Sequence, residues 1–275
     1  MLDFLAARAV PATEQISGAT YRRSMRVNSP GGSVLCGTAS ISDEPRRQAL
    51  RVELSGSLAG AEQSAAERIA PMFDVDRDPS AVAAVLGELV GVDLGLRLPG
   101  TVDPFEIAVR AILGQQVTVA AARTIATRFV TAFGPELPQP DDEHGLTHLF
   151  PTPDTIACLE IRQLGELGII RARGEAIIAL ARAFSSNGLR LEAGAAVAPT
   201  LAALIAIRGI GPWTAHYIAM RALGWTDAFP PGDVVVLKAM GTRSPAAAAA
   251  LARRWQPWRS YAVLHLWRRS SVRAT

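Results

Sequence analysis

Two groups of residues in this chain have types and spacing suited to chemistry. The stretch Ile207-Arg208-Gly209-Ile210-Gly211-Pro212-Trp213 puts two glycines in a turn between helical patterns, and Asp233 follows 22 residues after Gly211 in Pro230-Pro231-Gly232-Asp233. Glycine accepts backbone angles that a side chain forbids, and the first N–H groups of a helix have no partner within it. Such a turn can therefore offer amides and the positive end of a helix dipole to a phosphate. A Gly-x-Gly also marks ordinary helix–helix turns; basic surroundings and Asp233 favour the anion-binding reading. Asp233 is a preferred helix N-cap type and also a carboxylate that suits stabilising a cationic sugar of the kind formed in glycoside cleavage. The two roles are compatible.

Aromatic residues gather in the same part of the chain. All five tryptophans (Trp213, Trp225, Trp255, Trp258 and Trp267) fall in the last 63 residues. Trp213 and Tyr217 are four apart and share one helix face. Aromatics so placed build cores, and they also form stacking pockets for an everted base. Charge is as uneven as aromaticity. Residues 201–275 hold nine arginines and Lys238 against Asp227 and Asp233, a balance of +8, while residues 1–200 carry 18 basic and 23 acidic groups, a balance of −5. A basic end on a mildly acidic body is the footprint of a polyanion binder, although an arginine-rich solvated surface reads the same way.

Other chemistries are excluded by composition. The two cysteines, Cys36 and Cys158, give no disulfide framework and fit a reducing, cytoplasmic setting. They are too few for a four-cysteine zinc or iron–sulfur site. His144 and His148 are spaced i, i+4 but lie in a Pro/Asp-rich stretch with too few further ligands for a metal. No apolar run is long enough to cross a bilayer. Met1-Leu2-Asp3-Phe4-Leu5 lacks the basic start of a signal peptide. The chain opens inside a short helical pattern, as a piece of a longer polypeptide would. At 49% hydrophobic and 19% charged, its 275 residues can bury a large core in two or three subdomains.

The elements that must position these residues read as follows. Residues 1–75 form an α+β unit: a helix over 2–9, strands over 21–27, 34–42 and 50–54, turns at 28–32 and 43–45, and an alanine-rich helix over 59–73. From residue 76 on the text is helical. Helices are expected over 80–90, over 104–113 after the cap Asp103, over 119–133 beyond an interruption at Gly114-Gln115-Gln116, and over 175–184 and 200–207. Residues 134–153 read as the longest loop. Pro212 starts the helix after the glycine turn, where its missing N–H costs nothing. Helices over 245–255 and 258–269 close the chain. Val234-Val235-Val236-Leu237 has strand propensity by itself. Leu167-Gly168-Ile169 echoes Ile207–Gly211, which suggests two glycine turns and no tandem repeat.

These residues carry a resemblance. Phe4-Leu5-Ala6-Ala7-Arg8-Ala9, Leu96-Arg97-Leu98-Pro99-Gly100, Ala111-Ile112-Leu113-Gly114-Gln115, Gly209-Ile210-Gly211-Pro212-Trp213-Thr214-Ala215, Pro231-Gly232-Asp233 and Trp258-Arg259-Ser260-Tyr261-Ala262 occur in order along almost the whole chain. In them the sequence resembles the helix-hairpin-helix DNA glycosylases of base excision repair, most closely the DNA-3-methyladenine glycosylase II (AlkA) type. The resemblance implies a mostly α fold with an N-terminal antiparallel sheet, and a cleft between two helical lobes: 1–75 as the α+β subdomain, 100–223 as the central lobe with the hairpin, and 76–99 plus 224–275 as the second lobe. It makes 234–237 a helix. It implies Asp233 as the catalytic carboxylate, Trp213, Tyr217, Trp267 and Phe4 as the base pocket, and Gly209, Ile210 and Gly211 as the grip on the DNA backbone. It also implies a monovalent cation, sodium or potassium, at the Gly209 and Gly211 backbone, with no other cofactor. Gln116 stands where the family has a wedge that fills the gap left by an everted base, there a leucine. Val234 stands where the family has an aromatic pocket residue.

The implied activity is hydrolysis of the N-glycosidic bond of alkylated purines in double-stranded DNA, leaving an abasic site. Relatives that also cleave the strand use a lysine on the helix after the hairpin; Trp213 occupies that place, and the only lysine is Lys238. A monofunctional enzyme is therefore expected; a monomer is the default for an enzyme that must bend and probe a duplex, and a bacterial-type protein of this kind is expected on nucleoid DNA. Open alternatives are a non-catalytic binder of alkylated DNA, a helix-hairpin-helix module serving another enzyme, and a glycosylase for deaminated or mismatched bases.

Overall fold

The computed structural model describes residues 1–91 and 93–272. In chain order the elements are α1 (Leu2–Ala6), β1 (Glu14–Ser17), β2 (Thr20–Asn28), β3 (Val34–Glu44), β4 (Ala49–Leu54), α2 (Glu62–Phe73), α3 (Pro79–Leu86), α4 (Pro104–Leu113), α5 (Val119–Phe133), β5 (Glu136–Asp141), β6 (Leu146–His148), α6 (Pro153–Ala157), α7 (Ile161–Glu166), α8 (Arg171–Ser185), α9 (Val197–Ala206), α10 (Pro212–Ala222), α11 (Val234–Ala239), α12 (Pro245–Ala252) and α13 (Arg259–Val272). The chain is mostly helical with an N-terminal antiparallel sheet. Its packing forms two units, one of 2–69 with 112–188, the other of 70–111 with the residues from Leu189 on.

In the first unit the sheet runs β1-β2-β3-β4, every neighbour antiparallel. Period-two burial on β3 (Gly37, Ala39 and Ile41 inward) gives the sheet one apolar face. The stretch read as a long loop contains a hairpin instead: β5 and β6 pair antiparallel through the turn at 142–145. Pro138 and Pro140 hid β5, since proline argues against a strand; a two-stranded ribbon tolerates them because it is all edge. Leu137, Leu146 and Leu149 pack together with Cys36 of β3 against them. Ser24 Oγ on β2 donates to the His148 carbonyl at 2.6 Å and Arg26 to the Phe150 carbonyl at 2.7 Å.

Those bonds explain where the packing divides. It divides after residues 69, 111 and 188, whereas the sequence placed boundaries after 75, 99 and 223. The sheet buries its surface against residues more than a hundred positions away, which no composition shift announces. In the second unit, Arg97 reaches the carbonyls of Asp74 and Arg77, Tyr261 Oη on α13 donates to Asp74 Oδ2 at 2.5 Å, and Arg221 on α10 donates to the carbonyls of Pro99 and Gly100. Segments read as separate lobes are thereby held in one body.

Helix starts follow their caps. Asp103 accepts from the Phe105 and Glu106 amides and Thr118 from the Ala121 amide. Both glycine turns exist. Gly168 has φ +83° and Gly209 φ +94°, and the isoleucine after each, Ile169 and Ile210, is 3% exposed. In each turn the glycine takes the left-handed bend while the isoleucine anchors it, a burial worth about 1.5–3 kcal/mol.

Candidate active site

The glycine turn is built by the end of one helix and the start of another. α9 stops where Ile207 leaves helical geometry (ψ 116°). Gly209 turns left-handed, the Ile210 amide donates to the Ile207 carbonyl at 3.0 Å, and Gly211 becomes the N-cap of α10 with Pro212 at its first position. Arg208, Gly209, Gly211 and Pro212 are exposed around the buried Ile210. A glycine at the N-cap brings no side chain to cap the helix, and the first amides of a helix lie outside its own ladder, where an anion can meet them.

Asp233 is the N-cap of α11: its Oδ1 accepts from the Val236 amide at 2.8 Å. That bond is why Val234–Ala239 is helical despite three successive valines; a satisfied cap and tertiary packing outweigh their modest strand preference. The carboxyl group has two further donors. Trp213 Nε1 donates to Oδ2 at 2.9 Å and Trp267 Nε1 to Oδ1 at 3.1 Å. Asp233 is 7% exposed. A carboxylate offers about four acceptor positions. These three donors leave one on Oδ2 for a further group. The geometry fixes the carboxylate's orientation in a poorly solvated setting, where a charge acts strongly on a developing opposite charge.

Three of the four aromatics expected in the base pocket, Trp213, Tyr217 and Trp267, lie together in one unit, and two of them bond this carboxylate. Trp213 and Tyr217 stack with centroids 5.3 Å apart and planes 7° from parallel, and Tyr217 meets Trp267 at 6.3 Å and 46°. Trp213 and Trp267 are half-buried. Val234 and Val235, just past Asp233, are 77% and 40% exposed. Phe4 and Gln116 belong to the other unit. Phe4 carries the Arg8 guanidinium over its ring at 3.8 Å. Gln116 is exposed between α4 and α5 with φ +54°, and Arg173 of α8 donates to the neighbouring Gln115 carbonyl. A left-handed conformation in a residue other than glycine costs about 1–2 kcal/mol.

Sequence reading missed Arg221. It is 5% exposed, and NH1 donates to Tyr217 Oη at 2.9 Å. The signal was available, since 213, 217 and 221 repeat every four residues along one helix face. His265, two residues before Trp267, is buried, which drives its imidazole from 6.5 down to about 4; Asp93 opposes this, and Arg269 and Arg268 reinforce it. Burial, with the nearby Arg259, also lowers His216 on α10. Both imidazoles are thus disfavoured as cations. Lys238 is exposed on α11. Among the described residues no group of three or more His, Cys, Asp or Glu could hold a metal ion, and no helix is long and apolar enough to cross a membrane.

Known proteins resemble this chain in sequence and in fold. A family model described as AlkA N-terminal domain matches residues 1–103, and one described as HhH-GPD superfamily base excision DNA repair protein matches residues 109–248. DNA-3-methyladenine glycosylase 2 of Escherichia coli is 40% identical over 270 residues, 97% of this chain and 92% of that protein. A probable bifunctional transcriptional activator/DNA repair enzyme AlkA of Mycobacterium tuberculosis is 38% identical over 96% of this chain, which spans 53% of that protein's length. The solved structure of a 3-methyladenine DNA-glycosylase from Archaeoglobus fulgidus superposes with a TM-score of 0.76 at 19% identity, over 98% of this chain and 93% of that one, a likeness of fold. By both matches and by identity over nearly its full length, the chain belongs to the HhH-GPD superfamily of base excision DNA repair proteins, in its AlkA group.

Proposed function

We propose that this protein is a monofunctional DNA glycosylase that hydrolyses the N-glycosidic bond of alkylated purines of the 3-methyladenine type in double-stranded DNA and leaves an abasic site. One observation carries the reading: Asp233 caps α11 while two indole N–H groups hold its carboxylate among three aromatic rings. The damaged nucleotide rotates out of the stack, at a cost of a few kcal/mol that is smaller where pairing is already weakened. Alkylation at a ring nitrogen makes the base cationic and a good leaving group, so departure needs little acid catalysis. What the reaction needs is negative charge close to the sugar as it becomes cationic, and Asp233 supplies it. The remaining acceptor position on Oδ2 can orient the attacking water. Ring faces select electron-poor bases, gaining about 0.5–2 kcal/mol for a cation, and they do not read base edges closely, which favours a broad lesion range.

The exposed turn at Gly209, Ile210 and Gly211 would hold a phosphate of the same strand through backbone amides. The donors at this turn are backbone carbonyls and not thiolates or imidazoles, the set that suits a hard alkali cation. The Gly209 and Gly211 backbone would hold such an ion, sodium or potassium, whose charge would strengthen the phosphate contact. Gln116 would fill the gap left by the everted base, and the enzyme would act as a monomer on bacterial nucleoid DNA. Val234, next to Asp233, would leave the base without the aromatic wall that the family has there.

The test is base release from duplexes carrying single defined lesions (methylated, deaminated and mismatched), compared with Asp233→Asn. Release of methylated purines by the parent protein and release about a thousand-fold slower by the variant is the expected result, with no covalent adduct trapped by borohydride. Release by the variant at the parent rate would refute the role of Asp233, and a trapped adduct would refute the hydrolytic, lyase-free mechanism.

A further inference from the structure

We infer that Arg221 is a positioning residue for the chemistry at Asp233, acting through Tyr217 and Trp213; the inference rests on the glycosylase reading above. Trp213, Tyr217 and Arg221 occupy successive turns on one face of α10. Arg221 is a buried cation, a placement tolerated only when its donors are satisfied. It donates to the carbonyls of Pro99 and Gly100 and, at 2.9 Å, to the phenol oxygen of Tyr217, with its guanidinium carbon 5.7 Å from that ring's centroid.

The carbonyl pair belongs to a segment that is itself bonded and closely packed. The Gly100 amide donates to the Met72 carbonyl at 2.9 Å, and a side chain on Gly100 would run into the Pro71 carbonyl, so this segment lies directly on the backbone of α2. A rigid base thus holds the guanidinium, and the guanidinium holds the hydroxyl end of Tyr217. Tyr217 lies 7° from parallel with Trp213, and the Trp213 indole N–H reaches Asp233 Oδ2 at 2.9 Å. A tilt of the phenol ring passes to the indole it stacks on and from there to the carboxylate. Catalytic geometry tolerates little of this, since displacement by a fraction of an ångström to one ångström costs one to two orders of magnitude in rate.

Four variants of the whole protein test the inference by single-turnover base release and by affinity for a lesion-bearing duplex, with thermal melting as the check of folding. Tyr217→Phe removes the phenol oxygen and keeps the stacking ring. It should lower the rate of the chemical step by about ten-fold and leave duplex affinity within about two-fold of the parent. Arg221→Met should do the same. Arg221→Lys, which keeps the charge but lacks the planar fork, should recover part of the loss. The Tyr217→Phe/Arg221→Met double variant should be no slower than the slower single variant, because both act on one path. A parent rate in Tyr217→Phe, a loss seen only as weaker DNA binding, or two effects that multiply would each overturn the inference. Tyr217→Phe decides the matter even where changes at Arg221 unfold the chain. A parent protein that released no base would instead sink the glycosylase reading itself.

Discussion

Replacing Asp233 by asparagine changes charge and almost nothing else, so its consequences can be worked through atom by atom. Asparagine is as good an N-cap as aspartate, and its amide oxygen can keep the bonds from the Val236 amide and the Trp267 indole that Oδ1 accepts now. The amide nitrogen then replaces Oδ2 and meets the Trp213 indole N–H, a donor facing a donor at a position where 2.9 Å now separates donor from acceptor. One hydrogen bond to a group only 7% exposed is lost, at about 1–3 kcal/mol, which lowers the melting temperature by about 2–4 °C per kcal/mol in a chain of this size. The catalytic loss is larger. A unit charge about 4 Å from the sugar cation, at an effective dielectric of about 20, is worth about 4 kcal/mol, and each 1.36 kcal/mol is about a factor of ten. The variant should therefore release methylated purine about a thousand-fold more slowly, with duplex affinity nearly unchanged. Single-turnover release of a labelled base, alongside equilibrium binding to the same duplex, measures both quantities. A loss of under ten-fold in a variant that melts cooperatively would refute the electrostatic argument, because the charge would then lie too far from the reacting sugar to matter.

Three further outcomes follow from particular residues. Gly209→Ala forces a side chain into φ +94°, a strain of about 1–3 kcal/mol; affinity for undamaged duplex should fall, and fluorescence anisotropy showing parent affinity would remove the turn from the DNA contact. Gln116→Gly relaxes the left-handed residue at φ +54° while adding chain entropy, so stability should stay within about 1 kcal/mol of the parent. Excision should slow nonetheless, and an equally fast variant would leave Gln116 no gap-filling role. Because burial depresses His265 in the folded protein from 6.5 to about 4, the unfolded chain binds its proton first as pH falls. Stability from this residue is whole above about 6.5 and is lost toward about 4; melting temperature followed across that window should fall less steeply in His265→Gln than in the parent.

Much of this was legible in the sequence where a local signal decided local structure. Asp103-Pro104, the break at Gly114–Gln116 and Pro212 each mark a helix boundary found in the structure. The shape of α11 was readable only with family context, because three valines speak for a strand and the single cap bond that overrides them depends on where Asp233 sits. β1 escaped because Glu14–Ser17 shows no alternation, and it is held in part by a buried bond from Tyr21 Oη to Glu14 at 2.6 Å. α6 and α7 are too short for a periodic pattern to stand out. At the site, residue types announced an aromatic cluster, but not that two of its indoles would turn their N–H groups onto the carboxylate. That arrangement depends on α10, α11 and α13 converging, and convergence is a property of packing.

If the carboxyl group that starts α11 is also the one that does the chemistry, this family member has limited freedom to lose its activity quietly. A drift to alanine at 233 would free the first turn of a six-residue helix and strand two indole donors together. Retirement from catalysis with the fold kept would pass more readily through asparagine or serine. A descendant carrying either at this position, with Trp213 and Trp267 still in place, would be a candidate for a lesion reader that has given up cutting.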